Sequence, residues 1–179
     1  MFSAGRCCAP SSCGAAAVNR EVHQREVHRR EVHRREVERR LAALNRIDLF
    51  TDLTETERRT IAERLTYSPV AQGEIITRQG NVAHWLYILT AGEADIVIET
   101  EGSERRFVST LGAGSFFGEA GLLTGAPRSS TVVARSNVEC YRLDKASFEA
   151  VLKSRPEIAE QMSHVMANRR RAGGRDLRA

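Results

Sequence analysis

The stretch LGAGSFFGEAGLLTGAPRSSTVVA, residues 111–134, decides how this chain is read. A β-type run ends at Leu111, and Gly112 and Gly114 mark a turn after it. A short apolar helix is expected from Glu119, after which Pro127 and Arg128 feed another β-type run at 130–135. Backbone N–H groups at 118–121 then fall at a helix N-terminus, where negative charge is favoured. Arg128 follows closely enough to fold back over the same spot and offer a phosphate a two-pronged fork. Ser129 adds a hydroxyl donor. A carboxylate at Glu119 is out of place beside an anion unless it accepts hydrogen bonds from a sugar hydroxyl. Phosphate and ribose together point to a nucleotide. The blander reading of the same residues is a Glu119–Arg128 salt bridge within a turn. A dinucleotide fingerprint starting at Gly112 fails, because the third glycine comes one residue late and no βαβ unit follows.

Outward from this stretch the pattern is one of short β-type runs, at 67–71, 74–78, 85–90, 94–100, 106–111, 130–135 and 139–144. Gly73, Gly80, Gly92, Gly102, Gly112 and Gly114 supply the turns. Strands at this spacing imply an antiparallel roll or barrel rather than a parallel sheet. A helix at 54–65 precedes them, with Asp52 and Glu55 at capping-box spacing and Ile61 and Leu65 facing a core. Two helices, 146–153 and 156–171, should close the chain, with Pro156 in the first turn of the second. Met162, Val165 and Met166 are read as its core face.

The N-terminal side is different. Residues 1–19 are small, Cys-rich and aperiodic, and are expected to be disordered. They lack the continuous apolar core of a secretion signal. A five-residue repeat follows: EVHQR at 21–25, EVHRR at 26–30 and 31–35, and EVERR at 36–40. Five residues advance a helix by about 500°, so the valines spiral and form no stripe. Each Glu precedes an Arg by four residues, the favourable helical order. The repeat is read as a solvated linker helix over 20–46 whose end, at Val37, Leu41 and Leu44, docks on the domain. Binding of this helix to nucleic acid or anionic lipid is the minority reading.

Charge separates the same parts. The 179 residues carry a net +4, yet residues 47–168 hold 12 basic and 17 acidic side chains. The excess of arginine sits at 20–46 and in a basic tail at 169–179. A whole-surface nucleic-acid binder is excluded by that split. No stretch reaches the roughly 18 consecutive apolar residues of a membrane span. Four cysteines clustered toward one end do not make a disulfide scaffold, so a reducing, cytoplasmic setting is expected. Cys7, Cys8, Cys13 and Cys140 are similar in kind to the ligands of iron–sulfur sensors on related rolls, but their spacing is wrong. His23, His28 and His33, five apart, point in different directions and are poor metal ligands.

With these residues in view, the chain resembles the cyclic-nucleotide-binding domain family. Phe117-Gly118-Glu119, Leu122-Leu123, Pro127-Arg128 and Thr131-Val132 look like its phosphate-binding cassette. Leu49-Phe50, Gly73-Glu74, Gly80, Leu86-Tyr87-Ile88 and Gly92 match its β-roll, so the resemblance covers about 47–168. It implies an α+β fold, an antiparallel jelly-roll-like β-roll flanked by N- and C-terminal helices, with the charged helix as an extra. It further implies that Arg128 pairs with the cyclic phosphate, Ser129 hydrogen-bonds it and Glu119 takes the ribose 2′-hydroxyl. The Gly118 and Ala120 backbones complete the cradle, with Phe117 and Ser130 beside it. Ser130 stands where alanine is usual, and Ala120 replaces a larger side chain. In the family the last helix also lids the purine, which makes Met166, Arg169 and Arg170 candidate lid residues.

The ligand implied is cAMP, with cGMP as the alternative, and neither a metal nor a cofactor is called for. Three functions follow from the resemblance. One is a regulatory sensor that passes a conformational change to a partner. Another is the cytoplasmic end of a cyclic-nucleotide-gated or mechanosensitive channel, membrane-associated through a channel portion outside this chain. RPEIAE at 155–160 is similar to the former channels and REVH at 25–28 to the latter. The last is a transcription regulator lacking its DNA-binding domain, since about ten residues follow the final helix. An enzyme is not expected, because no nucleophile–base pair or metal set is legible.

Overall fold

A computed structural model describes residues 13–100 and 105–175, with side chains described at 21–100 and 105–168. The chain divides into two units, one ending at Glu38 and the other beginning at Arg39. The dividing point lies inside α1, Cys13–Leu44, so the helix starts earlier than the residue 20 expected and the second unit takes its last turns. Residues 1–12 and 176–179, which fall in the expected disordered segment and basic tail, lie outside the described residues.

The first unit shows what a five-residue repeat makes of a helix. Val22, Val27 and Val32 are each more than half exposed, so the repeat builds no apolar face. Its arginines bind glutamates along the helix instead. Arg30 meets Glu26 at 2.6 Å and Arg35 meets Glu31 at 3.0 Å, both four apart, and Arg34 shares Glu31 from three residues away at 2.9 Å. Such exposed pairs each contribute a few tenths of a kcal/mol at most.

In the second unit α1 ends on Ala43 and Leu44, both buried, with Leu41 partly so. A 3₁₀ turn, Asp48–Phe50, buries Leu49 and Phe50 before α2, Glu55–Arg64. The cap of α2 sits two residues later than the Asp52/Glu55 expectation. Thr54 is extended and accepts from the Glu57 N–H at 3.3 Å, while the Glu57 carboxylate accepts from the Thr54 N–H at 2.9 Å. Thr-x-x-Glu supplies both halves of the box, whereas Asp52 accepts from Gln161 at 3.3 Å.

Eight strands follow: β1 Thr66–Tyr67, β2 Ile75–Thr77, β3 Trp85–Ala91, β4 Ala94–Glu99, β5 Arg105–Leu111, β6 Phe116–Phe117, β7 Thr131–Ala134 and β8 Glu139–Asp144. They form two antiparallel sheets, ordered β1-β8-β3-β6 and β2-β7-β4-β5. The expected roll is therefore present. β6 was not expected, because two phenylalanines between glycines show no alternation. It pairs Phe117 with Tyr87 and Phe116 with Ile88.

Strand alternation divides the apolar residues of β3 and β8 between two cores. Tyr87, Leu89 and Cys140 face the other sheet, joining Ala94, Leu111, Phe117, Val132 and Ala134. Leu86, Ile88 and Leu143 fall on the opposite face and are fully buried where α2 and α4, Lys145–Ser154, pack. α5, Pro156–Arg175, closes the described chain and packs on α4, the 3₁₀ turn and the short helix α3, Glu119–Thr124. α3 lies between β6 and β7, and that insertion builds the site.

Candidate functional site

Backbone geometry is decisive at Gly118, which joins β6 to α3. Its φ of 88° is one that L-residues rarely adopt. A Cβ there would collide with the Arg128 guanidinium and stand 2.9 Å from the Trp85 carbonyl oxygen. Gly121 is confined in the same way, since its Cβ would run into Ala83 and lie 2.8 Å from the Ala126 carbonyl oxygen. The glycines of this stretch let the loop close tightly around an arginine.

Arg128 is buried. Its Nη1 donates to the Gly118 carbonyl and its Nη2 to the Trp85 carbonyl, each at 2.7 Å. The guanidinium also lies over the Tyr87 ring, 5.8 Å from its centroid, and that ring stacks on Phe117 at 4.9 Å. Burial lowers the Arg128 pKa from its ordinary value, while the neighbouring Tyr87 and Glu119 work in the other direction. The backbone around it is held on both sides. The Arg128 N–H donates to the Asn81 carbonyl and the Arg128 carbonyl accepts from the Gly80 N–H, both at 2.8 Å. A polar clamp beside it joins the β2–β3 turn to the end of β4. Gln79 exchanges two hydrogen bonds with the Glu99 backbone, and its N–H donates to the Thr131 hydroxyl at 2.9 Å.

These elements surround a cavity of about 640 Å³. The cassette residues expected to surround the ligand line it, namely Phe117, Gly118, Glu119, Ala120, Arg128, Ser129 and Ser130, whereas Leu122, Leu123, Pro127 and Thr131 do not. Met166 of α5 lines it as well. Arg169 and Arg170 lie in α5, but their side chains are outside those described. Glu119 is buried, and the first N–H groups of α3 have no acceptor within their own helix. The strands β4, β5 and β7 add a wall rich in apolar side chains, Ile96, Ile98, Val108, Leu111 and Val132, with Arg106, Ser109 and Thr110 of β5 among them. Sequence reading missed that wall and the Trp85 carbonyl. Strand alternation in β4 was a usable signal for the former, while nothing in the sequence marks the latter.

Among the described residues no group of His, Cys, Asp and Glu is placed to hold a metal ion. Cys140 is buried, and burial pushes its thiol up to about 11. No described helix is long and apolar enough to cross a membrane.

The fold is thus an antiparallel β-roll in which a buried arginine and a short helix border a largely apolar cavity. Residues 68–155 match the family model described as cyclic nucleotide-binding domain, and the chain belongs to that family. It is 32% identical over 120 residues to a cAMP-dependent protein kinase regulatory subunit of Blastocladiella emersonii, covering 67% of this chain and 30% of that one. It is also 32% identical over 124 residues to a protein from Rhodopseudomonas palustris named for a potassium channel, covering 69% and 30%. Among solved structures, the regulatory domain of Toxoplasma gondii PKA with cAMP superposes with a TM-score of 0.70 at 23% identity, covering 75% of this chain and 51% of that one. That likeness is one of fold. The chain spans about 30% of the length of these curated relatives. It carries a cyclic nucleotide-binding domain.

Proposed function

We propose that the domain is a non-catalytic receptor for a cyclic nucleotide, cAMP in preference to cGMP, and that it passes ligand occupancy to an attached domain or partner. The observation that carries this reading is the buried Arg128, fixed by two carbonyls yet bordering an open cavity. A buried guanidinium is costly unless an anion completes its coordination. The cyclic phosphate lies against Arg128, Ser129 and the Gly118–Ala120 backbone, and the ribose 2′-hydroxyl donates to Glu119. The purine lies between the apolar wall and Met166.

Closure follows from that placement. The phosphate orders α3, Leu123 repacks, and α5 moves over the base. The ligand shifts the equilibrium only by as much as it prefers the closed state. The signal leaves through α5 or through the charged helix α1. The effector is a kinase-type partner or a channel, and the domain works in the cytoplasm. Similarity to a channel-named protein over the same segment, together with the RPEIAE run, keeps the channel as the second reading.

Calorimetry on the whole chain tests the receptor reading. cAMP or cGMP should bind at one site, and adenosine, which lacks the phosphate, should bind far more weakly. 2′-Deoxy-cAMP should lose affinity against wild type and lose little against Glu119→Ala. Absence of binding by both cyclic nucleotides refutes the function, and an unchanged 2′-deoxy penalty in Glu119→Ala refutes the ribose assignment.

A further inference from the structure

Beside the Arg128 site, across Trp85 and Tyr87, a second arginine has no polar partner among the described residues. Arg142 in β8 is paired across the sheet with Tyr87 of β3. Strand alternation places it on the inner face with Cys140, and it is only partly exposed. Its guanidinium carbon lies over the Trp85 ring, 4.5 Å from the centroid. Its Nε is buried without a hydrogen-bond partner among the described residues, no described carboxylate forms an ion pair with it, and its outer Nη groups are the ones a ligand can reach. A guanidinium in this position normally finds a carboxylate or a carbonyl, as Arg128 does and as Arg155 does with Glu57.

Arg142 lines an open cavity of about 620 Å³ formed by Ser68, Val70 and Glu74 of the segment between β1 and β2, Ile76 of β2 and Tyr87 of β3. This cavity shares no lining residue with the cassette cavity. Val70 and Ile76 are apolar, and the Glu74 carboxylate is engaged by the Ala71 N–H at 3.0 Å. We propose that Arg142 anchors a second site, which takes a small free oxyanion such as phosphate or a carboxylate. Contact with the Trp85 ring restrains the guanidinium in advance, so an oxyanion meets outer N–H donors that are already held in place. The Glu74 carboxylate on the same wall makes a singly charged anion a better occupant than a dianion.

Trp85 is the chain's single tryptophan, so its fluorescence reports on the Arg142 guanidinium directly. The test titrates sodium phosphate and, separately, sodium acetate against sodium chloride at matched ionic strength. Trp85 also holds Arg128 through its carbonyl, and each titration is therefore repeated in Arg128→Leu to remove the cassette's share of the signal. A saturable response to phosphate or acetate, retained in Arg128→Leu, is expected, and the anion that gives it identifies the occupant. Arg142→Gln should raise the half-saturating concentration at least about tenfold, the loss of one charge-assisted hydrogen bond. Arg142→Lys keeps the charge but not the fork and should raise it by less, which preserves the test if the glutamine variant folds poorly. No saturable response beyond chloride in wild type overturns the site. So does a half-saturation unchanged in both Arg142 variants.

Discussion

Arg128→Leu separates the ligand role of this side chain from its role in the fold. A guanidinium has five N–H donors. Two are committed to the Gly118 and Trp85 carbonyls at 2.7 Å, which leaves three for a ligand, enough for a two-pronged contact with a phosphate. Hydrogen bonds to charged groups contribute about 1.5–3 kcal/mol each, so two of them amount to a gross 3–6 kcal/mol. The phosphate surrenders hydration on entering, and the cavity is open to water, so the net loss is smaller. A net loss of about 1.4 kcal/mol, tenfold in affinity, is the smallest change expected. The fold should suffer less. Leucine leaves two carbonyls without their donor, at about 1 kcal/mol each, and at the same time removes a desolvated cation, which offsets part of that loss. Calorimetry with cAMP on both proteins, beside thermal melts followed by circular dichroism, gives both quantities. A folded Arg128→Leu that binds cAMP as tightly as wild type refutes the phosphate assignment.

Other perturbations probe the scaffold. Gly118→Ala should weaken cyclic-nucleotide binding and lower stability by about 1–2 kcal/mol, the cost of a left-handed alanine, in chemical denaturation. An unchanged unfolding midpoint would show that the loop relaxes freely. Glu57 is held at about 2, below its ordinary 4.5, chiefly by Arg155 and then by the Thr54 cap. Its stabilising effect is therefore complete above pH 4.5 and is lost as pH falls toward 2. Glu57→Gln should flatten the acid limb of the stability profile in that window, and parallel acid limbs would contradict this. Native Cys140, whose thiol burial pushes to about 11, should resist alkylation at pH 8 and become labelled only in denaturant, as followed by peptide mass spectrometry.

Much of this molecule was legible before any coordinates. Glycine-bounded β-type runs announced an antiparallel roll, because turn chemistry and strand period are local properties. The five-residue repeat announced a helix without an apolar face, because 100° per residue is fixed by the backbone. Glu119 and Arg128 were singled out by their place in the 117–132 pattern and its family resemblance, residue type alone leaving a salt bridge open, and the fold brings them to one cavity. Other features were invisible for an equally physical reason. The helix cap moved to Thr54 and Glu57 because the residue that is extended at the turn becomes the cap, and two acidic residues at suitable spacing do not decide that. β6 exists because Tyr87 and Ile88 offer it an edge, not because Phe116 and Phe117 have a pattern. Residue types and their spacing thus determined the roll and the charged helix, and they put Glu119 and Arg128 forward as candidates for the site. Only tertiary structure decided that backbone carbonyls from Gly118 and Trp85 would hold Arg128, and that Arg142 would be left on a tryptophan without a counterion. Partners distant in sequence are set by how two sheets close on each other, which no local period encodes.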